Sequence, residues 1–89
     1  MLRVELRNAT NTLTLRMEGR LVGTFAEEVR KLVARSNIPR KLVVDVSEVT
    51  FVDTVGEQVL AWLGRIGAEF VAESSYPRHV CEGLNLPLP

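Results

Sequence analysis

Few residues in this chain have the chemistry for making or breaking bonds, and most of those lack the company that such work requires. Ser75 and His79 stand four apart, but a serine nucleophile needs a base held by a third group plus donors for the oxyanion, and nothing supplies these. Glu27 and Glu28 are adjacent at an expected helix start, where negative charge is favoured without catalysis, and Asp45 falls late in an expected strand. The single cysteine, Cys81, takes an apolar helical position, where a thiol packs as a small hydrophobe. It cannot close an intramolecular disulfide, and with the single histidine, His79, it cannot complete a zinc site. Neither Gly-x-x-x-x-Gly-Lys-Ser/Thr nor Gly-x-Gly-x-x-Gly occurs to cradle a nucleotide. No catalytic set, cofactor or metal is expected, and the chain is not read as an enzyme. One stretch stands apart: Val49-Thr50-Phe51-Val52-Asp53-Thr54-Val55-Gly56. It carries a hydroxyl, Thr54, at the expected mouth of a helix, among backbone N–H groups that have no helical partner. Thr54 there suits a helix cap. Gly56 beside it would let another surface approach the helix end.

The elements that position this stretch follow from periodicity. Leu2, Val4 and Leu6 alternate with Arg3, Glu5 and Arg7, and beyond the turn Asn8-Ala9-Thr10-Asn11 the residues Leu13, Leu15 and Met17 alternate with Thr14, Arg16 and Glu18. This predicts two half-buried, paired strands. Residues 19–23 break the pattern, and Thr24 with Glu27 forms a capping box for a helix running to about Ser36, with Phe25, Val29, Leu32 and Val33 inward. Asn37-Ile38-Pro39 stops it. Leu42, Val43, Val44 and Val46 then predict a central strand covered on both faces or nearly so, followed by a connection in which Val49, Phe51 and Val52 are anchors. Thr54 and Glu57 form a second capping box, opening a helix with Val55, Val59, Leu63 and Ile66 inward and Trp62 at the margin of that stripe. Gly67 ends it; residues 68–72 read as a short strand, and Ser74-Ser75-Tyr76-Pro77 opens a third helix with Val80, Cys81 and Leu84 inward. Leu86-Pro87-Leu88-Pro89 can be neither helix nor central strand and is expected as a tail. The order β-β-α-β-α-β-α predicts an α/β domain over residues 1–84: a small mixed, partly parallel sheet of about four strands with three amphipathic helices on it.

Composition narrows the partners. Eleven Lys and Arg against eleven Asp and Glu leave no net charge, too balanced for the basic field that non-specific nucleic-acid binding uses. No apolar run approaches the ~20 residues that span a bilayer, and Met1-Leu2-Arg3-Val4-Glu5 has no signal-peptide character, so a cytoplasmic protein is expected.

The stretch Val49–Gly56 resembles the hallmark of the STAS family, the bacterial anti-sigma-factor antagonists, in which an apolar pair, Asp, a hydroxyl residue, a small residue and Gly open the second helix. Gly19-Arg20-Leu21 is similar to the family's Gly-x-Leu, Leu42–Val46 to its central strand, and Val80–Leu84 to its closing helix, so the likeness covers about residues 12 to 84. The resemblance implies a signalling module of transcription regulation. Its partner would be an anti-sigma serine/threonine kinase that docks on Asp53, Thr54, Val55, Gly56 and Gln58, phosphorylates Thr54 and is thereby released. Val22 departs from the acidic residue that often follows Gly-x-Leu, and Val55 from the second small or hydroxyl residue. The chain also stops after its third helix, without the additional strand and helix that many members possess. These departures give the alternative: a constitutive structural or adaptor subunit of a larger assembly, such as a stress-signalling scaffold or a lipid-transport complex, with Thr54 as a helix cap only.

Overall fold

The computed structural model describes residues 1–37 and 40–89, in the order β1 (Leu2–Ala9), β2 (Thr12–Leu21), α1 (Gly23–Arg35), β3 (Lys41–Val52), α2 (Thr54–Arg65), β4 (Glu69–Val71) and α3 (Ser75–Gly83). β1 and β2 form an antiparallel hairpin whose pairing runs from Leu2 opposite Gly19 to Ala9 opposite Thr12. The turn between them holds Asn11 at φ 60°, a left-handed conformation that asparagine tolerates. β2 pairs in parallel with β3, and β3 in parallel with β4, giving one mixed sheet in the order β1-β2-β3-β4. Parallel neighbours need crossovers, and α1 and α2 supply them.

The core lies on one side of this sheet. Leu13, Leu15, Met17 and Leu21 of β2 and Leu42, Val44 and Val46 of β3 are buried with Ala26, Val29 and Val33 of α1 and Val59, Leu60 and Leu63 of α2. Each of the Leu, Val and Met side chains contributes about 1.5–3 kcal/mol of burial, so these stripes hold the helices in place. On the opposite face β2 and its neighbours carry exposed ion pairs, Arg16 to Glu18 at 3.2 Å and Lys41 to Glu69 at 3.2 Å, which contribute little. Val43 and Asp45 on that face are only half-buried, so β3 is covered on one side rather than both.

β2 and β3 are longer than periodicity predicts, and β4 is shorter, Glu69–Val71 against the expected 68–72. β2 continues through Gly19, which has φ +106° and lies so near β1 that an added Cβ would sit 2.5 Å from the Met1 carbonyl oxygen. β3 likewise continues through residues 47–52, expected as a connection. Its register against β2 slips between Arg16 and Glu18 and again between Gly19 and Arg20, so the buried positions fall at Val46, Val49 and Val52 instead of alternating. The second slip turns Phe51 outward, 44% exposed, although the sequence reads it as an anchor.

The helices shift by a residue or two. α1 opens at Gly23, the Thr24 side chain does not cap it, and no acidic residue lies in its first turn. Ala26 therefore takes the inward position and Phe25 is exposed. In α2 the inward face is Gly56, Val59, Leu60 and Leu63, which leaves Ile66 exposed at the C-cap. The expected proline stop after α1 falls on residues 38 and 39, outside the described residues. The C-terminal segment is neither helix nor strand, but it is docked: the Phe70 amide donates to the Pro87 carbonyl at 2.9 Å, and Leu86 and Leu88 pack on the core.

Candidate functional site

The β2–α1 and β3–α2 connections meet at Asp53. In extended conformation at the N-cap of α2, it accepts the Gly56 amide on Oδ1 at 2.8 Å and the Gly23 amide on Oδ2 at 3.1 Å. Its carbonyl accepts the Glu57 amide at 2.9 Å, and its own amide donates to the Leu21 carbonyl at 3.4 Å. One carboxylate thus caps α2 and also holds the first residue of α1. The expected capping box of Thr54 and Glu57 is corrected by this geometry: Asp53, one residue upstream, reaches the amide of the third helical residue, and Thr54 is the first residue of the helix proper. Thr54 is therefore not the residue that caps α2.

The Thr54 side chain is exposed, and among the described residues its hydroxyl engages no protein partner. Of the first amides of α2, those of Gly56 and Glu57 are occupied by Asp53, which leaves the amides of Thr54 and Val55 as the donors near this hydroxyl. The helix end is therefore favourable to an anion, while the Asp53 carboxylate opposes one.

Gly56 has a different role from the one its sequence position suggests. It is buried, and an added Cβ would collide with the Leu21 carbonyl oxygen and lie 2.8 Å from Val52 Cγ1. Close packing of α2 against the ends of β2 and β3 demands glycine here.

Val55 is half-buried and Gln58 exposed. Both line a shallow groove between α1 and α2, together with Glu27, Arg30, Trp62 and Arg65. Arg30 and Glu27 are paired across one turn at 3.0 Å. Trp62 is half-buried rather than sealed in the core, so its ring forms part of the groove wall. It lies seven residues after Val55 on the same helical face, a spacing visible in the sequence. Phe51 was missed as a surface residue: the Arg20 guanidinium lies 5.3 Å from its ring centroid, a cation–π pair between β2 and β3 two residues before Asp53. Tyr76 of α3 braces the same strand end, its hydroxyl accepting the Val52 amide at 2.9 Å.

The other residues considered for chemistry are not drawn together. Ser75 is the first residue of α3 and His79 is exposed on that helix, with no hydrogen bond between them among the described residues. Asp45 accepts the Ser47 amide at 3.0 Å, a local turn within β3. Cys81 is fully buried, and desolvation, with a smaller contribution from Glu82, pushes its thiol up from 9.0 to about 11. Among the described residues no group of His, Cys, Asp and Glu could hold a metal ion, and no helix is long and apolar enough to cross a membrane.

The sequence pattern of the STAS domain matches residues 3–63. Among solved structures, an anti-sigma factor antagonist from Mycobacterium paratuberculosis superposes with a TM-score of 0.80 at 24% identity over 99% of this chain and 85% of that one. The anti-sigma factor antagonist SpoIIAA in its unphosphorylated form gives 0.73 at 17% identity over 98% and 87%. The STAS domain of an antisigma-factor antagonist from Rhodobacter sphaeroides gives 0.60 at 23% identity over 80% and 84%. No curated protein matches the chain in sequence. The likeness to these structures is one of fold.

Proposed function

This chain belongs to the STAS domain family, and on that premise we propose that it is an anti-sigma-factor antagonist, a binding module switched by phosphorylation of Thr54. Unmodified, it captures an anti-sigma serine/threonine kinase through Thr54, Val55, Gln58 and the groove wall at Trp62; phosphorylated, it lets go. The observation that carries this reading is the division of labour at the α2 entrance. Asp53 does the capping, so the Thr54 hydroxyl is exposed and free to be modified without unmaking the helix.

The release follows from charge. A phosphate adds about −1.5 to −2 units at neutral pH, beside the Asp53 carboxylate and one turn from Glu57. The Thr54 and Val55 amides support it in the free protein, whereas a partner surface fitted to a neutral hydroxyl meets it as an uncompensated charge. Taking a complex from 99:1 to 1:99 needs only about 5.5 kcal/mol, within reach of one desolvated phosphate. The kinase supplies ATP chemistry, so the switch operates where both are present, in the cytoplasm.

The test is to incubate the protein with ATP and a cognate anti-sigma kinase, locate phosphate by mass spectrometry, and titrate the kinase with unmodified protein, phosphoprotein and Thr54→Asp. The expected result is phosphate on Thr54 and loss of binding for both charged forms. Stable binding with no phosphate on Thr54, and unchanged affinity for Thr54→Asp, would instead describe a constitutive adaptor.

A further inference from the structure

The two edges of the sheet are treated differently. The β4 edge is covered where the Pro87 carbonyl accepts the Phe70 amide, but β1, the other edge strand, pairs among the described residues only with β2. We propose that the open β1 edge pairs antiparallel with β1 of a second copy of this chain, joining two sheets into one across a two-fold axis at Val4.

The backbone phase permits it. The Arg20 amide donates to the Met1 carbonyl at 3.2 Å, and at the other end Ala9 and Thr12 close a two-residue turn. Both fix the odd-numbered residues of β1 as those bonded to β2, because hydrogen-bonded and non-bonded pairs alternate along an antiparallel ladder. The amides and carbonyls of Leu2, Val4 and Leu6 consequently point away from β2.

The side chains select the partner and the register. A two-fold axis perpendicular to the sheet keeps both cores on one side only if even residues face even ones. With Val4 opposite Val4 of the copy, Leu2 faces Leu6 and Arg3 faces Glu5, so apolar residues meet on the helix side and opposite charges meet twice on the other. Shifting the axis to Glu5 sets Arg3 against Arg7 and Glu5 against itself. Shifting it to Leu6 pairs Glu5 with Arg7 but sets Val4 against Asn8. The Val4 register alone satisfies charge and hydropathy together. It also covers a patch left open in the single chain, where Leu2 and Val4 lie beside Phe25, Glu28 and Leu32 of α1 and Phe25 is 44% exposed; Leu6, further along β1, is 37% exposed. Asp53, Thr54, Val55 and Gln58 take no part, so the pairing is independent of the proposed phosphorylation.

Sedimentation velocity over roughly micromolar to millimolar concentration, the range of small interfaces, should show a species of 9.9 kDa giving way to one of twice that mass. Glu5→Arg, which sets Arg3 against a new cation, should weaken association at least about tenfold. Arg3→Glu combined with Glu5→Arg should restore it, which no other register predicts. Val4→Pro removes an outward amide but no β1–β2 bond and should leave a folded monomer by circular dichroism. A wild-type chain that stays monomeric at every concentration overturns the proposal. So does a dimer indifferent to Glu5→Arg, and so does failure of the double variant to rescue.

Discussion

Replacing Asp53 and Thr54 in turn separates a cap from a modification site. Asp53→Ala removes the acceptor for the Gly56 amide at 2.8 Å and for the Gly23 amide at 3.1 Å. An N-cap lost to alanine costs about 1 kcal/mol, and a hydrogen bond to a charged group contributes about 1.5–3 kcal/mol. Asp53 is half-buried, which screens the second contribution towards its lower end, so the sum is about 2–3 kcal/mol. That is a large fraction of the total for a domain of this size, at ~0.05–0.15 kcal/mol per residue. The thermal midpoint should fall by at least about 10 °C, read by circular dichroism. Asp53→Asn keeps one acceptor and turns the other oxygen into a donor facing an amide, and should fall between Asp53→Ala and wild type. Thr54→Ala alters an exposed side chain with no protein hydrogen bond and should change stability by no more than ~0.5 kcal/mol. A Thr54→Ala protein as unstable as Asp53→Ala, or an Asp53→Ala protein as stable as wild type, would refute the assignment of the cap, and with it the argument that the hydroxyl is free.

Two other perturbations test the surroundings. Gly56→Ala, ordinarily stabilising within a helix, should here lower the midpoint by the equivalent of about 1–3 kcal/mol, because its methyl meets the Leu21 carbonyl and Val52; a higher midpoint would contradict the close approach. Cys81, raised to about 11, should resist thiol reagents at pH 8 until the protein is unfolded, and rapid native labelling would count against its burial. A thiol that holds its proton more tightly when folded contributes stability that is complete below pH 9 and lost as pH rises towards 11. Urea midpoints should therefore decline over that window, and less steeply in Cys81→Ala.

The element order was legible because each helix and the first hairpin carries its own period in a local window. Val29, Val33, Val59 and Leu63 identify core faces without reference to anything distant. The later half of β3 was not legible. Two slips against β2 leave Val46, Val49 and Val52 at intervals of three, a spacing that suits neither a strand nor a long helix, and Phe51 is turned out by a register that only the pairing defines. At the candidate site the octet around Thr54 stood out by composition, but the roles within it did not. Asp53, Thr54 and Gly56 each look like part of a docking surface when read in a row. In space Asp53 is engaged by two helices, Gly56 is buried, and Thr54 alone of the three presents an exposed side chain.

What the sequence by itself determined is the set of local preferences: the order of strands and helices, and that an acidic residue and a hydroxyl stand together where the second helix begins. What only the tertiary structure decided is which of the two holds that helix. The Asp53 carboxylate has two oxygens, and the partner of the second, the Gly23 amide, lies thirty residues away. No window of sequence contains that bond, because it exists only once parallel pairing of β2 with β3 has brought the two strand ends, and the helices that follow them, to the same place.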